Sequence, residues 1–461
     1  MRTNIKIWAL AMAFVAPSFC FISCGNDDET PSPSNPDKPV NPVEPSSDSA
    51  LSPSEQKERL EAVALEFSDL VPASDFRGIQ NLGSHIKRTY LNRGYDWSDV
   101  EEWAGDILRD LTQVVGTSDE TETKWGDVYQ YHYTDYKAVV MASNFKGRWE
   151  ARNGGWVYSQ ANDLSFVFND QNGSECVLKL ETSGDVKKVH VSDATDWYDY
   201  DVETSGDTYI YTYNYNRTQS TIGVPEHIVI TLTQGGSTVV KCTMNFNLSG
   251  ISNEEFNLSK SNLTASCKIE LNNGYTFDLS QVAYTANSSA SISFIAKKNG
   301  TSLLTFAVSA DISGMPDGNL SAIKKLDFDN VNGKNALVKF DVLGKAQIQG
   351  TVSDIRKFAD YIKEATRNKD SESRYKSYLN QANSLMDVNL FYDGTSTKQA
   401  TMKLEAFRES NYDGDYWTME PTLYFYDGSS YSTFSTFFNS NDFRKTIEAY
   451  KALAQDYADL F

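Results

Sequence analysis

Two runs of tyrosine alternate along this sequence: Tyr129, Tyr131 and Tyr133, and then Tyr209, Tyr211, Tyr213 and Tyr215. Residues two apart in a strand share a face at roughly 6.6 to 7 Å, so the second run makes a stripe about 20 Å long. Such a stripe can stack on a sugar ring or an apolar ligand while its hydroxyls hydrogen-bond. The competing role is burial. Thr212 and Asn214, on the alternate phase, are the more polar set, and aromatic residues favour strands in any case. On that balance the tyrosine side is expected to face the core, beneath helices.

A second group is acidic. The stretch DATDWYDYDVETSGD holds Asp193, Asp196, Asp199 and Asp201 beside Trp197, Tyr198 and Tyr200. Its carboxylates are the hard oxygen ligands calcium takes, though without EF-hand spacing, so a solvated binding loop is expected over a metal site. NYDGDYW, with Tyr416 and Trp417, reads as a second loop of the same kind. The four histidines, His85, His132, His190 and His227, have no partner at a metal-ligand spacing. No nucleophile elbow, Walker loop or dinucleotide fingerprint appears, so no cofactor is expected and the chain reads as non-catalytic.

The elements that must position these residues begin with helices over 51–117. Leu60, Val63, Phe67 and Leu70 make one apolar stripe after Pro53 and Glu55, and Pro72 stops it. Phe76, Ile79, Leu82, Ile86 and Tyr90 make a second. Ser98 with Glu101 caps a third, carrying Val100, Trp103, Ile107, Leu111 and Val114. From about Trp125 the period switches to two, with Asn-Gly, Gly-Gly and Asp-Gly turn signals. One plan recurs there: alternating strand, glycine turn, alternating strand, closing Ser-Gly. The closing glycines Gly184, Gly250 and Gly314 stand 66 and then 64 residues apart, which argues for a duplicated hairpin.

A helix-start pattern also recurs, as Ser74-Asp75-Phe76-Arg77, Ser353-Asp354-Ile355-Arg356 and Asn441-Asp442-Phe443-Arg444. A further helix carries Tyr375, Leu379, Ala382 and Met386. The expected fold class is α+β: a long twisted antiparallel sheet of repeated β-hairpins over 118–461, with helices at the N-terminus, late middle and C-terminus.

The N-terminus supplies the address. Arg2 and Lys6 precede an apolar run from Ile7 to Ile22 that Pro17 and Ser18 interrupt, too short to span a bilayer and shaped like a secretory signal. Its end, Phe21-Ile22-Ser23-Cys24-Gly25, resembles the bacterial lipobox, with Phe21 where leucine is usual. The resemblance implies a signal peptide over 1–23 and lipidation of Cys24. The residues that follow, Asn26, Asp27, Asp28 and Glu29, resemble the surface-export signals of Bacteroidota lipoproteins, which implies the outer membrane, facing the exterior. Residues 24–50 are rich in Pro, Ser and Asn and form a tether without a core. Asp48-Ser49-Ala50 resembles the O-glycosylation sites of the same phylum, implying Ser49 as acceptor.

With 42 basic against 62 acidic residues the chain carries a formal charge of −20, and nucleic acid, which needs basic patches, is excluded as a partner. Cys176, Cys242 and Cys267 fall on the apolar phase of strands, as buried thiols or, for the last two, a bridge. The expectation is a surface-anchored binding lipoprotein whose ligand is a glycan or other nutrient. The competing readings are a lipid or hydrophobic-ligand carrier and a structural accessory of an outer-membrane complex.

Overall fold

Local signals start the fold. The computed structural model describes residues 51–86, 112–124, 129–141, 146–152, 155–205, 208–313, 333–411, 414–425, 431–433 and 443–458, with a few isolated residues between. Helix α1 (Pro53–Leu70) opens on a complete capping box: Ser52 N–H donates to Glu55 Oε2 at 2.8 Å, and Glu55 N–H donates to Ser52 Oγ. Pro72 turns the chain into a 3₁₀ segment, Ala73–Phe76, and helix α2 (Arg77–Ile86) follows. The signal, the tether, Cys24, Ser49 and the third helix over 98–111 lie outside the described residues.

Eighteen strands then form one sheet. They are β1 (Thr112–Lys124), β2 (Tyr129–Met141), β3 (Gly147–Arg152), β4 (Gly155–Ser159), β5 (Leu164–Asn169), β6 (Glu175–Ser205), β7 (Thr208–Gln234), β8 (Ser237–Ser249) and β9 (Asn262–Leu271). The second half holds β10 (Tyr275–Thr285), β11 (Ser289–Lys298), β12 (Thr301–Asp311), β13 (Lys334–Val342), β14 (Ala346–Asp354), β15 (Met386–Tyr392), β16 (Ala400–Asn411), β17 (Gly414–Phe425) and β18 (Tyr431–Thr433). Helices α3 (Ile355–Arg367) and α4 (Glu372–Asn383) interrupt the meander after β14, and α5 (Arg444–Ala458) closes the described chain. The class is α+β, as the periodicity implies.

From β5 to β18 each strand pairs antiparallel with the next. The repeated hairpins turn on left-handed pairs, Gly235-Gly236 and Asn299-Gly300, which suit the two-residue turns matching strand twist. Two pairings break the antiparallel expectation: β3 with β5 and β2 with β7 are parallel. The sheet forks at β7. Its C-terminal part, His227–Gln234, pairs with β8, whereas Tyr211–Gly223 pairs on the same side with β2 and through it with β1.

Helices cover one face. Val63 and Leu60 of α1 and Ile447 of α5 pack with Ala346, Leu390, Tyr392, Ala400, Leu423 and Phe425. Phe67, Leu70 and Phe76 cover Tyr275, Ala296 and Leu303, and Leu82 of α2 reaches Phe168 and Cys176. Polar bonds register this layer. The Tyr275 hydroxyl lies 2.8 Å from Asp75 Oδ2, and Lys298 Nζ donates to the same oxygen at 2.6 Å. Burial works against ionisation of Asp75, but these two donors outweigh it and hold the carboxyl below the usual range.

Several boundaries differ from the sequence reading. Val114 sits in β1, so the helical segment does not extend to residue 117. Met386 opens β15, not the end of α4. Asp354, not Ser353, caps α3, its carboxylate accepting from Lys357 N–H at 2.9 Å. In the third copy of that pattern Asn441 and Asp442 lie outside the described residues.

The fork rests on a bulge where β6 and β7 slip register between Ser183 and Val186. Gly184 there has φ +81°, and an added Cβ would stand 2.6 Å from Glu226 Cβ. Gly184→Ala should therefore lower stability by about 1–3 kcal/mol, read as a reduced denaturation midpoint; an unchanged midpoint would show that the bulge does not hold the fork.

Candidate functional site

Beyond the fork, β6, β7, β2 and β1 lie side by side as a four-stranded ribbon. Parallel pairing sets the two tyrosine runs rung against rung: Tyr129 with Tyr211, Tyr131 with Tyr213, Tyr133 with Tyr215. Their ring centroids are 5.5, 5.6 and 5.4 Å apart, with interplanar angles of 21°, 19° and 26°. Tyr200 of β6, opposite Tyr213 in register, continues the middle rung at 6.2 Å. At such separations near-parallel rings overlap as offset stacks. Seven tyrosines thus form one continuous array.

The array is not core. The helices pack on the main sheet, while the rings from Tyr129 to Tyr133 and from Tyr211 to Tyr215 remain half-buried. Tyr209 is 57% exposed, Tyr200 53% and Val202 46%. No described helix covers the tyrosine face, in contrast to the helix-covered side expected from the sequence. The platform picture changes as well, because ring faces inside the array are occupied by neighbouring rings. What the ribbon offers outward is a fringe of ring edges and hydroxyls, with Tyr200 ending its row.

Arg217 closes the base of the array. Its guanidinium lies 4.6 Å from the Tyr133 ring centroid and donates to Asp135 Oδ1 at 2.6 Å and Glu120 Oε2 at 2.7 Å. The two carboxylates push its pKa further up, and the charge stays fixed. The Tyr213 phenol is raised too, first by desolvation among its neighbours and then by the charge those neighbours would carry.

The acidic stretch is strand rather than loop: β6 runs through Ser205. Register splits its carboxylates. Asp196, Asp199 and Asp201 pair with Asn216, Asn214 and Thr212 on the reverse of the ribbon, while Asp193 joins the tyrosine side and lies 3.3 Å from His190 Nε2. Among the described residues no three His, Cys, Asp or Glu side chains come together as a metal site. Beyond Leu180, no described strand pairs with the outer side of β6. The exposed acids along it blunt that open edge against pairing with another chain. Trp197 holds the position opposite Tyr215; its side chain and that of Tyr198 lie outside the described set.

In NYDGDYW, Asn411 ends β16 and Gly414 opens β17, and Tyr412 and Asp413 lie outside the described residues. Tyr416 and Trp417 lie in β17, paired with Glu409 and Arg408 of β16. Trp417 packs under α3 and α4 with Leu379, Tyr375, Ala365 and Met419, and its backbone N–H donates to Lys369 O at 2.7 Å. Tyr416 donates to Glu409 Oε2 at 2.9 Å. Trp417 thus joins a hydrophobic cluster, whereas Tyr416 lies on the opposite face of β17. The tyrosine runs were visible in sequence, but the pairing of strands some eighty residues apart that joins them was not.

Comparison with known proteins finds no matching family model, no matching curated protein and no matching solved structure.

Two outcomes follow from the geometry. Trp417→Ala should destabilise the fold by about 3 kcal/mol in chemical denaturation; a loss below about 0.5 kcal/mol would deny it a core role. In a near-UV absorbance titration part of the tyrosine signal should ionise above the pH of free tyrosine, and Tyr213→Phe should reduce that part by one tyrosine's share, buried Tyr392 and Tyr450 keeping the rest, while leaving the stack intact by near-UV circular dichroism. A profile identical to the wild type would contradict the crowding described for Tyr213.

Proposed function

We propose that the protein is a non-catalytic binding lipoprotein, anchored through Cys24 on the outer membrane, facing the cell exterior, that engages its ligand with the tip of the tyrosine ribbon. One observation carries this reading: Tyr200, Val202 and Tyr209, three of the most exposed large apolar side chains in the described residues, share one face near the end of the longest hairpin. Exposed apolar clusters with a polar rim mark interaction sites. The hydroxyl fringe beside them suits a glycan, whose apolar ring faces stack on an end tyrosine while its hydroxyls exchange hydrogen bonds with the row behind. Residues 24–50 supply the reach. A tether of that composition extends well clear of the lipid surface, and anchoring by several acyl chains is stable.

The full-length protein, extracted in detergent, should bind neutral glycans on arrays and in affinity gels, and Tyr200→Ala combined with Tyr209→Ala should weaken binding at least about tenfold, or about 1.4 kcal/mol. Tyr158→Ala, exposed on β4 away from the ribbon, should leave binding unchanged. Glycan binding insensitive to the double substitution sinks the ribbon as the site, and no glycan binding at all sinks the ligand class. Lipid recovered by extraction of the purified protein would favour the carrier, and a stoichiometric crosslinked partner the structural accessory.

A further inference from the structure

Cys242 and Cys267 stand on neighbouring strands one diagonal step apart, since Cys242 pairs with Ile269 and Met244 with Cys267. Both are buried in the same apolar cluster with Val224 and Met244. Their Sγ atoms are 3.7 Å apart. A disulfide places its sulfurs about 2.05 Å apart, so closure needs an approach of under about 2 Å. The right-handed twist of paired strands brings one diagonal of every such pair closer than the other, and these thiols occupy a close one. Cys176 differs: it is buried on β6 against Leu82 and Phe168, away from this pair.

We infer that Cys242 and Cys267 are joined as a disulfide in the mature protein. The inference rests on the extracytoplasmic address proposed above, because such bridges persist in oxidising compartments. Formation needs a donor disulfide, of the kind a thiol-disulfide oxidoreductase carries. The Cys242 thiolate attacks one donor sulfur, making a mixed disulfide and releasing one donor thiolate. The Cys267 thiolate then attacks Cys242 Sγ, forming the bridge and releasing the second donor thiolate. The cysteine pair gives up two electrons and two protons, and the donor takes both as it becomes a dithiol. Because both sulfurs are buried in the folded chain, the exchange takes place during folding, before the cluster closes around them.

The bond ties β8 to β9, where the half of the sheet bearing the ribbon meets the half bearing most of the helices. The test uses the full-length protein from acid-quenched cells, alkylated under denaturing conditions without reductant and mapped by peptide mass spectrometry. The peptides of Cys242 and Cys267 should appear linked, two hydrogens lighter than their sum, with Cys176 alkylated. Both peptides alkylated in protein from the outer-membrane fraction would overturn the inference. If the protein fractionates with the cytoplasm, the address has failed instead, and the pair is then judged by refolding the reduced protein in a glutathione redox buffer, where absence of the linked peptide overturns it. As a second measure, reductant should lower the melting temperature by roughly 5 °C in the wild type and not in Cys242→Ser; an equal response in both would also overturn it.

Discussion

A single strand, β7, carries the architecture, because its 27 residues join the two branches of the forked sheet. Hydrogen bonds along its C-terminal part place it in the long antiparallel meander, and those along its first part hold β2 and β1 in the ribbon. Backbone continuity through the bulge at Gly184 and Pro225 makes the two inseparable. Whatever the main sheet does to orient β7 also orients the ribbon. A surface built this way is aimed by the rigid core rather than by a flexible loop.

The ribbon solves a problem of its own. No described helix layer seals its tyrosine side, so it lacks the burial that holds the main sheet together. Cross-strand aromatic pairs provide a substitute, each contributing up to about 1 kcal/mol beyond its share of buried area. Arg217 adds a charged clamp at the base, tying β7 to Asp135 of β2 and Glu120 of β1. The acids along β6 give the open edge a charge that resists pairing. Tyr200 and Tyr209 are left at the margins of the array, exposed, and that surface is the one proposed to bind.

The residues taken for binding loops show where sequence patterns mislead. DATDWYDYDVETSGD contains every sign of a solvated loop, yet a strand at a sheet's edge can be as polar as a loop because one side of it meets water. NYDGDYW has a real turn signal at Asp413-Gly414, but Tyr416 and Trp417 fall just beyond it in β17. Trp417 then meets α3 and α4, elements that precede it by up to about sixty residues. Only the packing of those helices decides that its indole is covered.

What the sequence determined by itself is everything set within a few residues along the chain. The capping box at Ser52 and Glu55, the stop at Pro72, the left-handed turns at Asn299-Gly300 and Gly235-Gly236, and the buried phase of Cys176, Cys242 and Cys267 all follow from local backbone and side-chain chemistry. Tertiary structure alone decided that β2 runs parallel to β7, that two separate tyrosine runs become one stack, that the acids of β6 divide between two faces, and that Cys242 meets Cys267. Those outcomes depend on register between segments far apart in sequence, where a shift of one residue would turn every side chain to the opposite face.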